Sequence, residues 1–300
     1  MTALFSADEI LEITGARLAS GMMPDDLASV CIDTRLLVEG QWFLALPGQT
    51  FDGHDFIGDA FSRGAIGCIV EERTNYPIAS TSFPLLAAVD TEEALCSLAH
   101  SWRKRNQARV CLLLKAGDLS EKLIRDLERA EGAFDASLLL KTNADWQEIS
   151  LALLELTPES KALVIEYQPY NLDKIDAVAI MTAPDVVLIL SEAFSHLRLQ
   201  ASAEKIIAVE KSLTDCVVEH AGVVLVAADA AFRQIVLPEQ KADIAPSEEC
   251  ELSFAPDLDF APADDFSPQE NSVRQRSIII VDDHTELAKT LMDILRVRQN

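Results

Sequence analysis

Several polar side chains cluster in a glycine-bearing stretch near the start of the chain. The triplet Asp33-Thr34-Arg35 is followed by Gly48 and then by Asp52-Gly53-His54. Short apolar runs lie between and before them, so we expect a strand, a turn, a second strand and a loop. Glycine allows close approach of backbone to a ligand, and binding residues concentrate on such loops. The pattern favours a small anionic or sugar-like ligand, although a turn with solvated charges also accounts for Asp52 or His54 taken singly.

The order of these residues resembles that of the substrate-nucleotide domain of the MurE and MurF ligases, MurF being the more similar. The pattern continues through Gly40-Gln41-Trp42-Phe43, Phe51-Asp52-Gly53-His54-Asp55-Phe56 and Gly64-Ala65. These ligases add amino acids to UDP-N-acetylmuramoyl-peptides at the expense of ATP. The resemblance implies that the ligand is a UDP-N-acetylmuramoyl-peptide or a similar nucleotide sugar. It also implies that the residues at or near the UDP pocket are Asp33, Thr34, Arg35, Gly48, Asp52, Gly53 and His54.

A second family feature, the phosphate-binding loop, is altered. The family has a strand that leads into a loop of the form TGSxGKT, whose backbone N–H groups and lysine hold phosphates. Here Arg109–Leu114 leads into Lys115-Ala116-Gly117-Asp118-Leu119-Ser120, and the Gly-Lys-Thr falls on Asp118-Leu119-Ser120. A carboxylate points where phosphates would sit, and the lysine is missing. Gly117 and Ser120 are the remnant of a loop that we expect to be inactive toward the family's ATP and Mg²⁺.

The resemblance implies three further candidates for catalytic or metal positions of the family, which are Glu166, His196 and Lys211. Glu166 ends an apolar strand that resembles the family's strand ending in Glu-Met-Gly, and ungapped spacing leads from it to His196. The resemblance makes both residues candidates for a metal site; the alternative is a strand-end carboxylate and a surface histidine. The position of the family's carbamylated lysine falls on Glu210, with Lys211 one residue later.

The surrounding sequence predicts a small α/β domain over residues 1–85. Ser6-Ala7-Asp8-Glu9 has capping-box spacing and predicts a first helix that ends near Gly15. A helical pattern over Asp55–Arg63 is stopped by Gly64. The apolar runs that we expect to form strands are Val30–Ile32, Trp42–Leu46 and Ile66–Val70.

Beyond that domain, fully apolar strands alternate with helical patterns. The predicted strands are Leu85–Val89, Val110–Leu114, Ser137–Leu140, Ala162–Ile165, Val186–Leu190 and Val223–Ala227. The helices between them are Thr91–Arg105, Ser120–Ala130, Asp145–Leu156, Lys174–Thr182 and Ala203–Glu219. This alternation is typical of a parallel sheet covered on both faces. We therefore predict an α/β fold whose second domain, residues 86–236, is doubly wound, mainly parallel and P-loop-like.

Composition limits the partners of the chain. The formal net charge is −24, so broad contact with nucleic acid or an anionic membrane surface is unfavourable. The six cysteines show no CxxC pair and are expected to be buried, reduced thiols. We expect no signal peptide, and the most apolar stretch, Ala177–Leu190, is interrupted by Pro184-Asp185. We predict a cytoplasmic protein without membrane insertion.

Residues 237–276 differ in composition from the rest of the chain. They contain five prolines and ten acidic residues against three basic ones, which predicts a disordered acidic linker. Three hexads beginning at Phe254, Phe260 and Phe266 lie inside it. Either short duplication has enlarged a solvated linker, or residues 254–271 bind a protein partner through repeated aromatic contacts.

The last segment, residues 277–300, is predicted to be a strand and an amphipathic helix. The strand ends in Asp282-Asp283-His284. It resembles either the start of a receiver domain or the start of the MurF C-terminal domain, without that domain's Tyr-Asn-Ala-Asn-Pro segment. We expect neither a working receiver nor the third ligase domain in this chain.

Three functional hypotheses follow from these patterns. The first is a catalytically inactive pseudo-ligase that still binds a UDP-sugar or acts as a scaffold. The second is an active ATP-dependent ligase that joins D-alanyl-D-alanine to a UDP-N-acetylmuramoyl-tripeptide. The third is a protein-interaction module that uses the phenylalanine hexads.

Overall fold

The computed structural model of the chain contains two β-sheets. It describes residues 3–48, 50–72, 83–114, 125, 138–167, 172–190, 223–227 and 277–280. The predictions on Gly117, Ser120, His196, Lys211, the hexads and Asp282-Asp283-His284 concern residues outside these ranges.

The first sheet has five strands in the order β1-β5-β4-β3-β2. Its elements are α1 (Ala7–Thr14), β1 (Arg17–Ser20), β2 (Val30–Cys31), β3 (Trp42–Leu44), α2 (Ile57–Ser62), β4 (Gly67–Glu71) and β5 (Leu85–Ala88). A 3-10 turn, Gly53–Phe56, precedes α2. Strand β1 is antiparallel to β5, whereas the other neighbours are parallel. The sequence did not predict β1, because three of its four residues are exposed and it has no apolar run.

The capping box predicted for the first helix is confirmed. The Glu9 backbone N–H donates to Ser6 Oγ at 3.1 Å, and the Ser6 backbone N–H donates to Glu9 Oε2 at 2.9 Å. The helix ends at Gly15, which adopts the left-handed conformation. Local sequence therefore determines both ends of α1.

The second sheet has six strands in the order β11-β10-β9-β6-β8-β7, and all neighbouring strands are parallel. Its elements are α3 (Thr91–Arg105), β6 (Arg109–Leu114), β7 (Leu138–Ala144), α4 (Trp146–Leu154), β8 (Ala162–Tyr167), α5 (Leu172–Thr182), β9 (Val186–Leu190), β10 (Val223–Ala227) and β11 (Ser277–Ile280). The chain places β7 and β8 on one side of β6 and the later strands on the other, which is the order reversal of a doubly wound sheet. The predicted α/β fold is confirmed.

Two strand positions differ from the boundaries drawn on the sequence. Strand β5 pairs with β1 and β4, so by sheet membership the first unit extends to Ala88, past the predicted boundary at residue 85. Strand β11 pairs with β10 and extends the second sheet, whereas we predicted from the sequence that residues 277–300 form a separate fragment. Pairing between segments distant in sequence decides both points.

Helix α3 joins the two units through one continuous hydrophobic core. The Phe5 ring packs edge to face against Trp102 of α3, with ring centroids 6.1 Å apart. Trp102 Nε1–H donates to the Leu156 carbonyl oxygen at 2.9 Å, and the Ala3 backbone N–H donates to the Leu154 carbonyl oxygen at 2.9 Å. The N-terminal segment is therefore bound to the second unit as well as to its own sheet.

The described cysteines are free thiols, as predicted. Cys68 and Cys111 are also buried as predicted, whereas Cys31 and Cys96 are only half-buried, so the prediction of burial was wrong for these two. Burial raises the pKa of Cys68, and it raises the pKa of Cys111 to about 12. Both thiols are therefore protonated at neutral pH. Among the helices of the described ranges, none has the length and apolar character needed to cross a membrane.

Arg103, near the end of α3, is a buried hydrogen-bonding centre. Its guanidinium donates to the carbonyl oxygens of Thr182 and Ala183 at 3.1 and 3.2 Å, and to Asp185 Oδ2 at 2.7 Å. The same carboxylate oxygen accepts the backbone N–H of Val110 at 2.9 Å. One side chain thus links α3, the end of α5 and the start of β6.

We predict that Arg103→Met lowers the free energy of unfolding by about 2–4 kcal/mol, because it removes the charged donor to a half-buried carboxylate and to the carbonyl oxygens of Asn106, Thr182 and Ala183. Urea unfolding followed by far-UV circular dichroism measures the change. Arg17→Met is the matched control, since it removes an exposed arginine that pairs with Glu72 at 2.6 Å. It should cost less than about 1 kcal/mol. Equal losses in the two variants would contradict a special role for Arg103.

Candidate functional site

A cavity of about 530 Å³ lies at the carboxyl ends of β2 and β3. Because these two strands are neighbours and parallel, the segments that follow them meet at one edge of the sheet. The loop before α2 closes the remaining side. Three chain segments thus contribute the lining residues, which are Ile32, Asp33, Thr34, Arg35, Phe43, Leu46, Phe51, Gly53 and Phe56.

The segment after β2 carries an ion pair on the cavity lining. Arg35 Nη2 donates to Asp33 Oδ2 at 2.6 Å and Arg35 Nε donates to Asp33 Oδ1 at 2.9 Å, while the Arg35 backbone N–H also donates to Oδ1 at 2.9 Å. These bonds hold the pKa of Asp33 below its ordinary value, and the charge of Arg63 adds to the effect. The Arg35 side chain remains 83% exposed, so its outer face is accessible to a ligand.

The loop before α2 passes very close to the end of β3. The Gly53 backbone N–H donates to the Leu46 carbonyl oxygen at 2.8 Å. A Cβ atom at Gly53 would lie 2.7 Å from backbone atoms of Leu46, so a larger residue would displace the loop. Gly48 faces a similar limit, because a Cβ atom there would lie 2.5 Å from the Phe51 carbonyl oxygen. Both glycines are therefore required by close backbone contacts.

His54 is buried behind this loop, at 1% exposure. Asp52 Oδ1 accepts the His54 backbone N–H at 3.0 Å and lies 2.6 Å from His54 Nδ1. The Glu71 backbone N–H donates to His54 Nε2 at 2.9 Å. Since Nε2 accepts, the network assigns the ring proton to Nδ1, which donates to Asp52.

The structure divides the residues predicted for the UDP pocket into two groups. Asp33, Thr34, Arg35 and Gly53 line the cavity, whereas Gly48, Asp52 and His54 lie in the adjoining loop and do not line it. Sequence reasoning did not assign the apolar part of the wall, which is formed by Ile32, Phe43, Leu46, Phe51 and Phe56. In the sequence, these apolar residues lie within or beside the polar motif, which is the feature that could have identified them. Phe51 is unusual for a large apolar residue because it is 71% exposed.

The metal candidate Glu166 lies elsewhere, near the carboxyl end of β8. It pairs in register with Leu113 of β6 and is 3% exposed. In an open α/β sheet, ligands bind outside the carboxyl ends of the strands where the strand order reverses, and β6 marks that point here. Within the part of the chain that the structure describes, no three potential metal ligands are grouped together. Glu166 as a metal ligand therefore stays a prediction, and its predicted companion His196 lies outside the described residues.

Comparison with known proteins supports the resemblance seen in the sequence. Residues 26–103 match the model of the Mur ligase family, catalytic domain. The chain is 30% identical over 169 residues to the UDP-N-acetylmuramoyl-tripeptide--D-alanyl-D-alanine ligase of Haemophilus influenzae, which covers 55% of this chain and 36% of that protein. The chain thus spans just over a third of the length of that relative.

Solved structures of MurF share the fold. MurF from Acinetobacter baumannii matches with a TM-score of 0.64 at 23% identity, over 79% of this chain and 52% of that one. The MurF ligase from Thermotoga maritima in complex with ADP matches with a TM-score of 0.56 at 20% identity, over 70% of this chain and 48% of that one. Residues 26–103 therefore resemble the Mur ligase family, and the resemblance predicted from the sequence is confirmed.

We predict that Arg35→Ala raises the pKa of Asp33 toward the ordinary value of about 3.9, because it removes the largest cause of the depression. Carbon-detected NMR titration of the Asp33 carboxyl group measures the change. A depressed pKa in the folded protein means that the pair stabilises the fold above the unfolded-state pKa. That stability disappears as the pH falls through the folded value. Arg17→Ala should leave the titration of Asp33 unchanged, and an equal rise in both variants would contradict the assignment.

Proposed function

We propose that this chain is a MurF-like protein of peptidoglycan-precursor metabolism that binds a UDP-N-acetylmuramoyl-peptide, or a similar nucleotide sugar, and does not ligate it. The observation that carries the proposal is the cavity at the carboxyl ends of β2 and β3, where four of the seven residues implied by the resemblance lie together. The curated relative from Haemophilus influenzae is named for action on a UDP-N-acetylmuramoyl-tripeptide. We extend that ligand class to this chain.

The side chains that line the cavity suit a nucleoside diphosphate. Its volume of about 530 Å³ falls within the usual range of small-molecule sites, and aromatic walls suit a planar base. The exposed guanidinium of Arg35 offers charge-assisted hydrogen bonds to phosphate oxygens. Arg63 adds positive charge nearby, since it contributes to the lowered pKa of Asp33. Local cations of this kind matter in a chain whose net charge is −24.

The absence of ligation is proposed from the sequence that follows β6. The phosphate-binding Gly-Lys-Thr of the family falls on Asp118-Leu119-Ser120, so the lysine is lost and a carboxylate is gained. Each change weakens the binding of a nucleoside triphosphate and the stabilisation of the phosphoryl group that is transferred. The MurF ligase from Thermotoga maritima was solved with ADP, but we expect ATP and Mg²⁺ to bind this chain weakly or not at all.

One observation favours the alternative of an active ATP-dependent ligase. Glu166 keeps its place near the carboxyl end of β8, beside β6, where a carboxylate could hold a magnesium ion next to phosphates. The third hypothesis, a protein-interaction module, concerns residues 254–271 and stays a prediction.

We predict saturable binding of UDP-N-acetylmuramoyl-tripeptide to the purified chain, measured by isothermal titration calorimetry. Arg35→Ala should weaken it at least about tenfold, because a charge-assisted bond to phosphate contributes roughly 1.5–3 kcal/mol. Arg17→Ala is the matched control, since it also removes an exposed arginine paired with a carboxylate at 2.6 Å. Its strand β1 lies at the opposite edge of the sheet from β2, so affinity should stay within about twofold. No heat at millimolar ligand, or equal losses in both variants, would refute the proposed site.

We predict that ATP with Mg²⁺ does not bind at concentrations up to about 1 mM, which corresponds to a binding free energy weaker than about −4 kcal/mol. Fluorescence of a labelled ATP analogue, with and without the UDP-muramoyl ligand, measures this. Restoring the family pattern by Asp118→Gly, Leu119→Lys and Ser120→Thr should improve the affinity, because it returns the phosphate-binding lysine. Hydrolysis of ATP by the unaltered chain that depends on the UDP-muramoyl ligand would instead establish the active ligase.

A further inference from the structure

The Asp52–His54 pair lies beside the proposed ligand cavity but does not line it. Both ring nitrogens of His54 already have protein partners, Asp52 Oδ1 at 2.6 Å and the Glu71 backbone N–H at 2.9 Å. The side chain is 1% exposed. A ligand could therefore reach the imidazole only by breaking one of these bonds, and an indirect role is more consistent with the geometry.

The chain around this pair carries a third of the cavity wall. Phe51 precedes Asp52, Gly53 lies between the two residues of the pair, and Phe56 follows two positions after His54; all three line the cavity. The rings of Phe51 and Phe56 pack edge to face with centroids 6.4 Å apart. Any movement of Asp52 or His54 would therefore displace both aromatic groups.

The pair connects this loop to strand β4. Gly53 is already bound to the end of β3 through the Leu46 carbonyl oxygen at 2.8 Å. The bond from the Glu71 N–H to His54 Nε2 adds a contact with the last residue of β4, which is the neighbour of β3 in the sheet. The loop is thus held by contacts with the end of β3, where Leu46 lines the cavity, and with the end of β4, where Glu71 does not.

We infer that the Asp52–His54 pair is a positioning element of this site, and that neither side chain contacts the ligand. Asp52 Oδ1 accepts the hydrogen bond from Nδ1–H of His54, so Nε2 carries no proton and accepts the hydrogen bond from the Glu71 N–H. The imidazole then bridges two backbone segments and holds Phe51 and Phe56 against the cavity. The ligand-binding part of this inference rests on the proposed function, whereas the positioning of the loop does not.

Three substitutions separate positioning from direct contact. His54→Gln places an amide oxygen near the position of Nε2 and keeps an acceptor for the Glu71 N–H. His54→Asn keeps a donor to Asp52 near the position of Nδ1 but loses that acceptor. Asp52→Asn removes the negative charge and keeps an oxygen that accepts from Nδ1. The readouts are hydrogen exchange of the Glu71 amide by NMR and calorimetric titration with UDP-N-acetylmuramoyl-tripeptide.

The expected result is that His54→Asn exchanges the Glu71 amide at least about tenfold faster and binds the probe at least about tenfold more weakly, because a buried donor loses its partner. His54→Gln and Asp52→Asn should stay within about threefold of the unaltered chain in both measurements. Thermal unfolding of each variant verifies that it is folded.

The inference would be overturned if His54→Gln lost as much probe affinity as His54→Asn while the Glu71 amide of His54→Gln stayed protected from exchange. That result would mean that the imidazole itself contacts the ligand. A tenfold loss in folded Asp52→Asn would overturn it for the carboxylate. If His54→Asn fails to fold, the probe affinities of His54→Gln and Asp52→Asn still test whether either side chain contacts the ligand. If the unaltered chain takes up no probe, the proposed function fails, and unchanged exchange of Glu71 in His54→Asn would separately overturn the positioning role.

Discussion

Burial of helix α3 between the two sheets is the packing constraint on which the rest of the structure depends. Its apolar face, which includes Leu95 and Leu98, lies in a hydrophobic core that extends from the N-terminal segment to β9. Each such side chain contributes roughly 1.5–3 kcal/mol when buried. The C-terminal end of the helix adds Arg103, whose guanidinium satisfies two carbonyl groups and the Asp185 carboxylate. Since the core that includes α3 contains residues of both units, the two units are expected to fold together.

This packing leaves the carboxyl edge of the first sheet available for a ligand. Apolar contacts bury one face of the sheet against α3, while the cavity lies where β2 and β3 end. Its walls combine an exposed arginine, aromatic rings and a backbone contact that requires glycine at position 53. Rigid strands thus support a site built from loops, which is the usual arrangement for binding in α/β folds.

The proposed function separates two tasks that the active ligases of the family combine. Under that proposal, the cavity of the first unit binds the nucleotide sugar, whereas the sequence after β6 lacks the lysine that the family resemblance implies for ATP. Binding without turnover fits a protein that senses or holds a precursor. The buried His54 is consistent with this distinction, because its hydrogen bonds maintain the shape of the binding site and supply no group for catalysis.

The sequence by itself determined the α/β class, the positions of most helices and strands, and the family resemblance. Capping residues, glycine stops and apolar runs act locally, so α1 and α3 could be predicted nearly to the residue. Strand β7 runs on to Ala144 although Lys141-Thr142-Asn143 lack an apolar pattern, because Lys141 pairs with Ile165 of β8 and, after an irregularity in the register, Ala144 pairs with Tyr167. The tertiary structure alone decided that β5 belongs to the first sheet, that β11 extends the second, and that Phe51 lines the cavity while His54 lies behind it. Strand pairing and side-chain burial depend on contacts between residues far apart in the chain, and residue spacing does not determine them.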